Sequence, residues 1–379
     1  MKIACISTSL VPSVTANSIQ VMKVCQAMQQ LGHQVQLWVP GNSAVPFDQM
    51  KKLYGLESDF TVSWLASRKQ LKRYDFALSA INAARNWKAN LIYSWLPQAA
   101  WAGVRLLNIP SVLEMHDRAS GKFGLFWLKS FMLSSRKKEL AVVSHALKQA
   151  LEKQLGFSIR DEEVIFAPNG VDLQRYQNLQ SCESTRTALS LPQKLTAGYT
   201  GHFYAGRGVE ILFKLAQAYP EVNFLWIGGR EQELENVKKR LDAEHLENVI
   251  LTGFMDNAKV PQYQAACEIL LMPYERIIAG SSGGNSVDIC SPMKMFEYMA
   301  AGRAIISSDL PVIREILDEQ CAVFCPPEDA DGWISSFGSL LQDPEKRKFL
   351  GDNARNKMSD LTIIKRQENI LRFMMESNS

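Results

Sequence analysis

The sequence predicts an α/β protein of two domains, each built on a doubly wound parallel sheet with helices on both faces. The chain has 379 residues, which is too long for one ordinary hydrophobic core. Strand and helix patterns alternate through its first half, as is typical of a parallel sheet. The alternation restarts after a polar stretch at residues 177–194. We therefore expect an N-terminal domain over residues 1–176 and a C-terminal domain over residues 177–361.

Short apolar runs predict the buried strands, and helical spacing of apolar residues predicts the helices. In the N-terminal domain the predicted strands cover residues 2–8, 34–40, 90–95, 110–116, 141–145 and 163–171. The predicted helices there cover residues 18–31, 98–107, about 125–140, and 146–155.

The C-terminal domain repeats this pattern. Its predicted strands cover residues 195–201, 223–229, 248–254, 269–274 and 304–308, and its predicted helices include residues 209–219, 231–245 and 260–267. The final segment, residues 362–379, predicts an amphipathic helix that packs back toward the N-terminal domain. Ligands of such sheets bind beyond the carboxyl ends of the strands, so the loops there are the candidate sites.

Composition excludes several classes of function. Hydrophobic residues make up 46% of the chain and charged residues 21%, as in ordinary globular proteins, and a net charge of +3 does not favour nucleic acid. The seven cysteines show no paired metal-binding spacing, which favours buried thiols in a reducing cytoplasm. The apolar N-terminus is short and interrupted by Ser and Thr, so we expect a strand there and not a signal peptide.

The segment 291–317 carries the strongest functional signal. We expect Ser291 to cap a helix, Pro292 to open it and Gly302 to end it. Lys294 then lies in the first turn, where the helix dipole already favours an anion, and Glu297 lies on the face that should be buried. Both placements cost stability unless a ligand carrying phosphate and hydroxyl groups binds there. The alternative is a surface lysine and a buried glutamate paired with an arginine.

A glycine-rich loop follows the first strand of the second domain. Gly201, Gly206 and Gly208 permit close backbone approach, and Arg207 precedes a helix, so the loop resembles a phosphate cradle. Together with Lys294 it could neutralise a diphosphate. No P-loop motif occurs, and the first loop of the chain lacks the GxGxxG pattern of nicotinamide-binding domains.

Two further loops of the second domain are candidates for binding a flat base. They contain Gly229-Arg230 and Phe254-Met255, and ordinary strand-to-helix turns are the alternative.

In the first domain His116 and Asp117 end a strand. The histidine could donate to a sugar hydroxyl or transfer a proton, although a lone histidine is often structural. Residues 122–138 combine many apolar side chains with Lys122, Lys129 and Arg136 at seven-residue spacing. This pattern suits peripheral contact with an anionic membrane, or else a core helix with solvated cations.

The chain resembles a GT-B glycosyltransferase of the family 4 type along nearly its whole length. The resemblance rests mainly on SPMKMFEYMAAGRAIISSDLPVIREIL from Ser291, with support from APNGVD, LGHQV and YTGHFYAGRGVE. It implies two doubly wound Rossmann-like domains that face each other across a cleft. It also implies a retaining enzyme that moves a sugar from a nucleotide diphosphate to an acceptor hydroxyl without a metal or other cofactor.

The resemblance implies roles for individual residues. Glu297 matches the second glutamate of the family's Glu-x7-Glu motif and should hold the ribose hydroxyls. Lys294 and Arg207 should hold the diphosphate, and His116 should lie near the donor sugar; these four form the implied catalytic set. The other implied donor-binding residues are His202, Gly206, Gly229, Met255, Asp288, Cys290, Ser291, Met293 and Met295.

The sequence departs from the family pattern at the first motif glutamate. Ile289 occupies that position and cannot bind a sugar hydroxyl through its side chain, so Asp288 or the backbone N–H groups of residues 288–291 would have to replace it. His202 stands near the family's first phosphate-binding position. The N-terminal loop has Ala16-Asn17-Ser18 where a glycine pair is usual.

These observations together predict a hexosyltransferase that uses a nucleotide sugar, with UDP-glucose favoured, and a glycan or lipid-linked acceptor in polysaccharide synthesis. Front-face attack through an oxocarbenium-like state is the expected mechanism, because no carboxylate obviously occupies the position of a covalent nucleophile. The alternatives are a nucleotide-sugar epimerase, or a nucleotide-sugar-binding scaffold without catalysis. We expect a cytoplasmic protein, peripheral at the inner membrane surface if residues 122–138 bind lipid.

Overall fold

Residues 1–42, 44–71, 73–278 and 285–376 are described by a computed structural model, which divides into two units. Unit 1 comprises Met1–Asn169 and Ile363–Ser379, and unit 2 comprises Gly170–Thr362. Each unit contains one parallel sheet covered by helices, so the predicted α/β class is confirmed.

The sheet of unit 1 has seven strands, namely β1 (Lys2–Ile6), β2 (Gln34–Pro40), β3 (Thr61–Leu65), β4 (Leu91–Ser94), β5 (Ser111–Met115), β6 (Lys138–Val142) and β7 (Val164–Phe166). Their order is β3-β2-β1-β4-β5-β6-β7, with every neighbouring pair parallel. The helices are α1 (Ala16–Gln30), α2 (Phe47–Tyr54), α3 (Tyr74–Asn86), α4 (Pro97–Ala102), α5 (Gly121–Met132) and α6 (His145–Leu155). The central strands are apolar and buried on both faces, as parallel strands require.

The sheet of unit 2 has six strands, namely β8 (Thr196–Thr200), β9 (Asn223–Ile227), β10 (Val249–Gly253), β11 (Ile269–Met272), β12 (Ala304–Ser308) and β13 (Val323–Cys325). Their order is β10-β9-β8-β11-β12-β13. The helices are α7 (Cys182–Ala188), α8 (Val209–Ala218), α9 (Glu231–Ala243), α10 (Val260–Ala265), α11 (Met293–Ala301), α12 (Pro311–Arg314), α13 (Ala330–Gln342) and α14 (Pro344–Asn356).

The last helix, α15 (Ile363–Glu376), belongs to unit 1 and packs against α1. Ile370, Leu371 and Met374 lie on its buried face within the same core cluster as Val24 and Met28 of α1. The amphipathic pattern at the end of the chain therefore corresponds to a helix that covers one face of the first sheet.

The boundary between the units lies at Asn169, seven residues before the predicted one at 176. The intervening residues pack within unit 2, where Val171 bridges Thr362 and Tyr176 donates to Gln264 Oε1 over 3.1 Å. Arg175 donates to Asn257 Oδ1 over 2.7 Å. These contacts are long-range, so the local sequence could not place the boundary.

Two predicted helices differ from the structure. The expected helix over about 125–140 ends at Met132, because residues 138–142 form strand β6. Ser291 and Pro292 also shift by one position, since Pro292 is the N-cap of α11 and Met293 its first helical residue. Lys294 is consequently the second residue of that helix.

Candidate functional site

Lys294 and two tyrosines form the centre of the candidate site in unit 2. The ammonium of Lys294 lies 4.1 Å from the ring centroid of Tyr199, at the end of β8, and 5.1 Å from that of Tyr274, beyond β11. Burial, and then the charge of Arg207, hold the pKa of Lys294 well below its usual value. Aromatic faces attract a cation without neutralising it, so the lysine keeps its capacity to bind an anion.

Arg207 lies beside the same tyrosine ring. Its guanidinium carbon is 5.2 Å from the centroid of Tyr274 and 4.8 Å from that of Tyr204, whose hydroxyl accepts a hydrogen bond from Nη2. The Nε atom of Arg207 is buried and has no hydrogen-bond partner among the described residues. Buried donors are rarely left unsatisfied, so this atom is a candidate donor to a bound anion.

Lys294 and Arg207 therefore form a pair of neighbouring cations held by tyrosines. Within the described part of the chain, neither has a carboxylate oxygen within 4.0 Å of its side-chain nitrogens. Two like charges at partly buried positions repel each other and cost stability. A ligand with two negative charges, such as a diphosphate, would remove that cost.

The glycine-rich loop is built differently from the expected phosphate cradle. The N–H groups of Gly206 and Gly208 donate to the two carboxylate oxygens of Glu275 over 3.1 and 3.3 Å. Glu275 in turn donates its own N–H to the carbonyl of Gly206 over 3.1 Å. The backbone on both sides of Arg207 is thus fixed by a carboxylate that the sequence analysis did not single out, and these N–H groups are already occupied.

Glu297 lies three residues after Lys294 on α11 and belongs to a polar cluster. Gln264 Nε2 lies 3.4 Å from Glu297 Oε2 and donates to Thr200 Oγ1 over 3.3 Å. The hydroxyl of Tyr298 accepts from the N–H of Thr200 over 2.8 Å. Glu297 is partly exposed, whereas Phe296 and Ala300, which the sequence places on the same face, are buried. A carboxylate fixed by an amide and open on one side suits recognition of sugar hydroxyls.

His202 is held by Glu233, a residue that sequence reasoning missed. Nδ1 of His202 lies 3.2 Å from Oε2 of Glu233, which also accepts from the N–H groups of Phe203 and Arg230 over 3.0 and 3.2 Å. Burial raises the pKa of Glu233, but these N–H groups and His202 outweigh it and lower the pKa overall. The loop after β8 is thereby tied to the start of α9.

The loops after β9 and β10 provide the surfaces predicted to flank a base. Gly229 is buried with φ +89°, and a Cβ atom there would lie 2.7 Å from the ring of Phe203. Phe254 is 53% exposed and precedes Met255, which is partly exposed. An exposed aromatic ring beside a glycine turn is compatible with a planar ligand.

The segment before α11 contains most of the other predicted donor-binding residues. Asp288 is exposed and near Asn285, whose Nδ2 lies 3.4 Å from its carboxylate, while Cys290, Ser291 and Met293 are partly exposed. Met295 is fully buried, and its N–H donates to the carbonyl of Pro292. Residues 279–284 lie outside the described part of the chain.

His116 belongs to unit 1 and follows the carboxyl end of β5, as predicted. Its side chain is 29% exposed, and Nε2 lies 2.5 Å from Oε1 of the buried Glu114. Its neighbour Asp117 accepts from the N–H of Arg118 over 2.7 Å. Glu114 is a carboxylate inside an apolar strand, a signal that the sequence itself carries.

Known proteins resemble this chain in sequence and in fold. The family model described as Glycosyltransferase Family 4 matches residues 18–175, and the model described as Glycosyl transferases group 1 matches residues 194–343. A phosphatidyl-myo-inositol mannosyltransferase of Mycolicibacterium smegmatis is 21% identical over 86% of this chain and 81% of its own length. The teichuronic acid biosynthesis glycosyltransferase TuaH of Bacillus subtilis is 27% identical, but the match spans 46% of this chain and 41% of TuaH.

Solved structures confirm the architecture. Anabaena HepE in complex with UDP superposes with a TM-score of 0.77 at 16% identity, over 99% of this chain and all of that one. WaaG, a glycosyltransferase of lipopolysaccharide biosynthesis, superposes with a TM-score of 0.69 at 13% identity over 99% of this chain. The paired Rossmann-like sheets, the two family models and these neighbours agree, and the chain belongs to the family 4, group 1 glycosyltransferases of the GT-B fold.

Proposed function

We propose that this glycosyltransferase is retaining and moves a hexose from a UDP-sugar, with UDP-glucose favoured, to a glycan or lipid-linked acceptor in polysaccharide synthesis. The observation that carries the proposal is the pair of tyrosine-held cations, Lys294 and Arg207, which has no carboxylate within salt-bridge distance among the described residues. A nucleoside diphosphate supplies the charge that this pair requires. Complexes of HepE with UDP and with UDP-glucose support the choice of donor.

Each part of the donor has a proposed binding group. Lys294 and Arg207 bind the diphosphate, Glu297 binds the ribose hydroxyls, and the loops at Gly229 and Met255 flank the base. His116 contacts the donor sugar, an assignment that rests on the family resemblance.

The proposed chemistry needs no metal or other cofactor. The leaving group is a nucleoside diphosphate, and the two cations together with the start of α11 stabilise the negative charge that develops on it. The acceptor hydroxyl attacks from the face that the diphosphate leaves, and the leaving oxygen takes its proton. The sugar passes through an oxocarbenium-like state without a bond to the protein.

Substitution of Glu297 tests the assignment of the donor site. Glu297→Ala should raise the KM for UDP-glucose and nearly abolish release of UDP, because ribose binding orients the donor. The exposed Glu221, changed to alanine, is the matched control and should leave both constants unchanged. Unchanged kinetics in Glu297→Ala would contradict the assignment. Binding of UDP-glucose without turnover under any acceptor would favour a scaffold protein.

The stereochemical course tests the proposed mechanism separately. We expect NMR of the product to show the same anomeric configuration as the donor. Intact-protein mass spectrometry during turnover should show no mass increase of one hexose. A glycosylated protein that forms and decays at the rate of turnover would overturn front-face attack.

The acceptor side is proposed to contact an anionic membrane surface through α5 and its neighbours. Phe123 and Phe126 of α5 are 48% and 56% exposed, and Leu133 just beyond it is 66% exposed. Lys129 and Arg136 are also exposed, although Arg136 lies outside the helix, so the predicted seven-residue helical face does not extend that far. The side chain of Lys122 lies outside the described residues. None of the helices in the described ranges is both long and apolar enough to cross a bilayer.

Vesicle binding tests this contact. The protein should sediment with vesicles that contain phosphatidylglycerol and less with neutral phosphatidylcholine vesicles, because the patch is apolar and basic. Phe126→Asp should reduce sedimentation, whereas the equivalent change at Phe349, 55% exposed in unit 2, should not. Equal sedimentation of both variants would contradict the assignment. The related phosphatidyl-myo-inositol mannosyltransferase supports a lipid-linked acceptor.

A further inference from the structure

A buried polar cluster lies behind His116 in unit 1. Its centre is Glu114 on β5, whose side chain has no exposed surface. Gln20 Nε2 of α1 donates to Oε1 over 2.6 Å, and the hydroxyl of Tyr93 on β4 donates to Oε2. Arg366 of α15 is 3% exposed, and its Nη atoms lie 3.0 Å from Oε1 and 3.1 Å from Oε2. The cluster therefore joins three elements of unit 1 to the strand that carries His116.

The charge state of Glu114 follows from these contacts. Burial raises the pKa of its carboxyl, but Arg366 and His116 outweigh the burial, so the pKa lies well below the usual range. Glu114 also raises the pKa of the buried Tyr93, after the larger effect of burial, and that phenol stays protonated as a donor. Glu114 is thus a carboxylate at neutral pH, and a carboxylate can only accept hydrogen bonds.

The tautomer of His116 follows from that acceptor. Nε2 lies 2.5 Å from Oε1 of Glu114, so Nε2 must carry a proton. In the neutral ring Nδ1 then holds the lone pair, and no hydrogen bond of Nδ1 occurs among the described residues. A buried carboxylate that fixes one nitrogen of a histidine determines which nitrogen is available for proton transfer or for binding.

Arg366 keeps this carboxylate charged and fixed in place. Besides Glu114, the guanidinium donates to the carbonyls of Ala167 and Pro168, through Nε over 2.8 Å to Pro168 and through Nη2 over 3.0 Å to Ala167. Every contact of this fork is buried or partly buried, so its geometry is closely determined. The C-terminal helix is thereby connected to the ring of His116 through one intervening side chain.

We propose that Arg366 and Glu114 are positioning residues that hold His116 with its proton on Nε2 and present Nδ1 as the working atom. The value of this arrangement for transfer rests on the proposed function, in which His116 contacts the donor sugar. The arrangement itself is a property of unit 1 alone. The arrangement gives the C-terminal helix a second role besides covering the core, because without Arg366 the ring of His116 would no longer be held in one orientation.

NMR of the histidine side chains tests the arrangement without any substrate. The chain has five histidines, and His116→Gln identifies the signal of His116. In the full-length protein at pH 8.5, long-range proton–nitrogen correlations should show Nε2 of His116 protonated. A ring protonated on Nδ1 alone, or one that averages between tautomers, would overturn the proposal.

The tautomer of His116 in two variants provides a signature that a merely structural role would not produce. Glu114→Gln replaces the anionic acceptor of Nε2 by a neutral amide, so the preference for a proton on Nε2 should weaken and the ring nitrogens should move toward averaged signals. Arg366→Gln removes the guanidinium that fixes the carboxylate, so it should weaken the same preference. Glu139→Gln is the matched control, because Glu139 is a buried carboxylate on β6 without a described hydrogen-bond partner, and it should leave the tautomer of His116 unchanged. An unchanged tautomer in both test variants would overturn the proposal.

Tyr93→Phe keeps the proposal testable if the two charge variants do not fold. It removes one donor to Glu114 and keeps both charges, so the fold should persist, confirmed by circular dichroism. Because Glu114 and Arg366 keep their contact with each other, Nε2 of His116 should stay protonated in this variant. A ring that averages between tautomers while the fold persists would count against the proposal.

A kinetic cycle connects the arrangement with transfer. Glu114→Gln should lower kcat for UDP release from UDP-glucose in the wild-type background and have no further effect in a His116→Ala background. An equal loss in both backgrounds would mean that Glu114 acts independently of His116. If the protein turned over no nucleotide sugar, the proposed function would fail, while the NMR result would still decide the arrangement.

Discussion

Replacing Lys294 by methionine should stabilise the unliganded protein and weaken its response to the donor. The ammonium is partly buried beside Arg207, and contacts with two tyrosine rings and the charge of Glu297 compensate it only in part. Those two contacts contribute about 0.5–1 kcal/mol each at a partly exposed position. Exchanging a buried ion for an apolar side chain of similar volume often stabilises by about 1–4 kcal/mol overall. Because Lys294 keeps some exposure, we expect a gain of about 1–2 kcal/mol.

The pH dependence of this gain follows from linkage. The pKa of Lys294 is lowered in the folded protein, so the unfolded chain binds a proton more tightly than the native one. At pH values below the ordinary lysine pKa of about 10.4, Lys294 therefore lowers the stability of the wild type, and the methionine variant does not have this loss. The gain should be largest at pH values below the lowered pKa of Lys294 and should shrink as the pH rises from there toward the ordinary lysine pKa.

Thermal unfolding measures both effects. For a unit of this size the expected gain corresponds to about 2–8 °C in Tm. UDP should raise the Tm of the wild type and raise that of Lys294→Met less. Lys239→Met, on the exposed face of α9, is the matched control and should change the stability by less than about 0.5 kcal/mol. A variant less stable than the wild type at pH 7, or one that UDP still stabilises fully, would refute the reasoning.

Three further predictions concern single groups. Glu139→Gln should raise the unfolding free energy at pH 8 and have less effect at pH 5. Burial raises the pKa of Glu139, so the wild type loses stability as the pH rises, and the glutamine variant does not. A gain in stability that grows toward acid pH would contradict this. Gly208→Ala should lower the unfolding free energy by about 3 kcal/mol or more in urea titrations. The backbone φ of Gly208 is +68°, and the new Cβ would lie 1.6 Å from the carbonyl oxygen of Pro273. A change below about 1 kcal/mol would be inconsistent with that contact. Glu275→Ala should lower the unfolding free energy by about 1.5–3 kcal/mol and weaken UDP binding, because it removes the acceptor that fixes the backbone around Arg207. An unaltered UDP affinity by calorimetry would mean that the loop holds Arg207 without Glu275.

The strands and the main functional segment were predictable because their signals are local. Apolar runs such as residues 34–40 form strands in the structure at the predicted bounds. A cation in the first turn of α11 was visible from the sequence, since capping and helix-ending residues place that turn. The expected helix over about 125–140 was too long because residues 138–142 pair with strands β5 and β7, a long-range contact that the local pattern does not show.

The groups that hold the cations were not predictable in the same way. Tyr199 and Tyr274 come from the ends of different strands, and each looks like an ordinary core aromatic in its own sequence context. Glu275 and Glu233 act through backbone N–H groups of distant loops, which no spacing rule connects to them. Arg366 lies 252 residues from Glu114 along the chain, so only the fold reveals their contact.

Calorimetric titration of the full-length protein with UDP, UMP and uridine tests the central claim most directly. If Lys294 and Arg207 bind the diphosphate, UDP should bind about tenfold or more tightly than UMP, since hydrogen bonds to charged groups contribute about 1.5–3 kcal/mol each. In Lys294→Met that ratio should fall toward one, while the affinity for uridine should not change. Equal affinities for UDP and UMP in the wild type, or an unchanged ratio in the variant, would contradict the account.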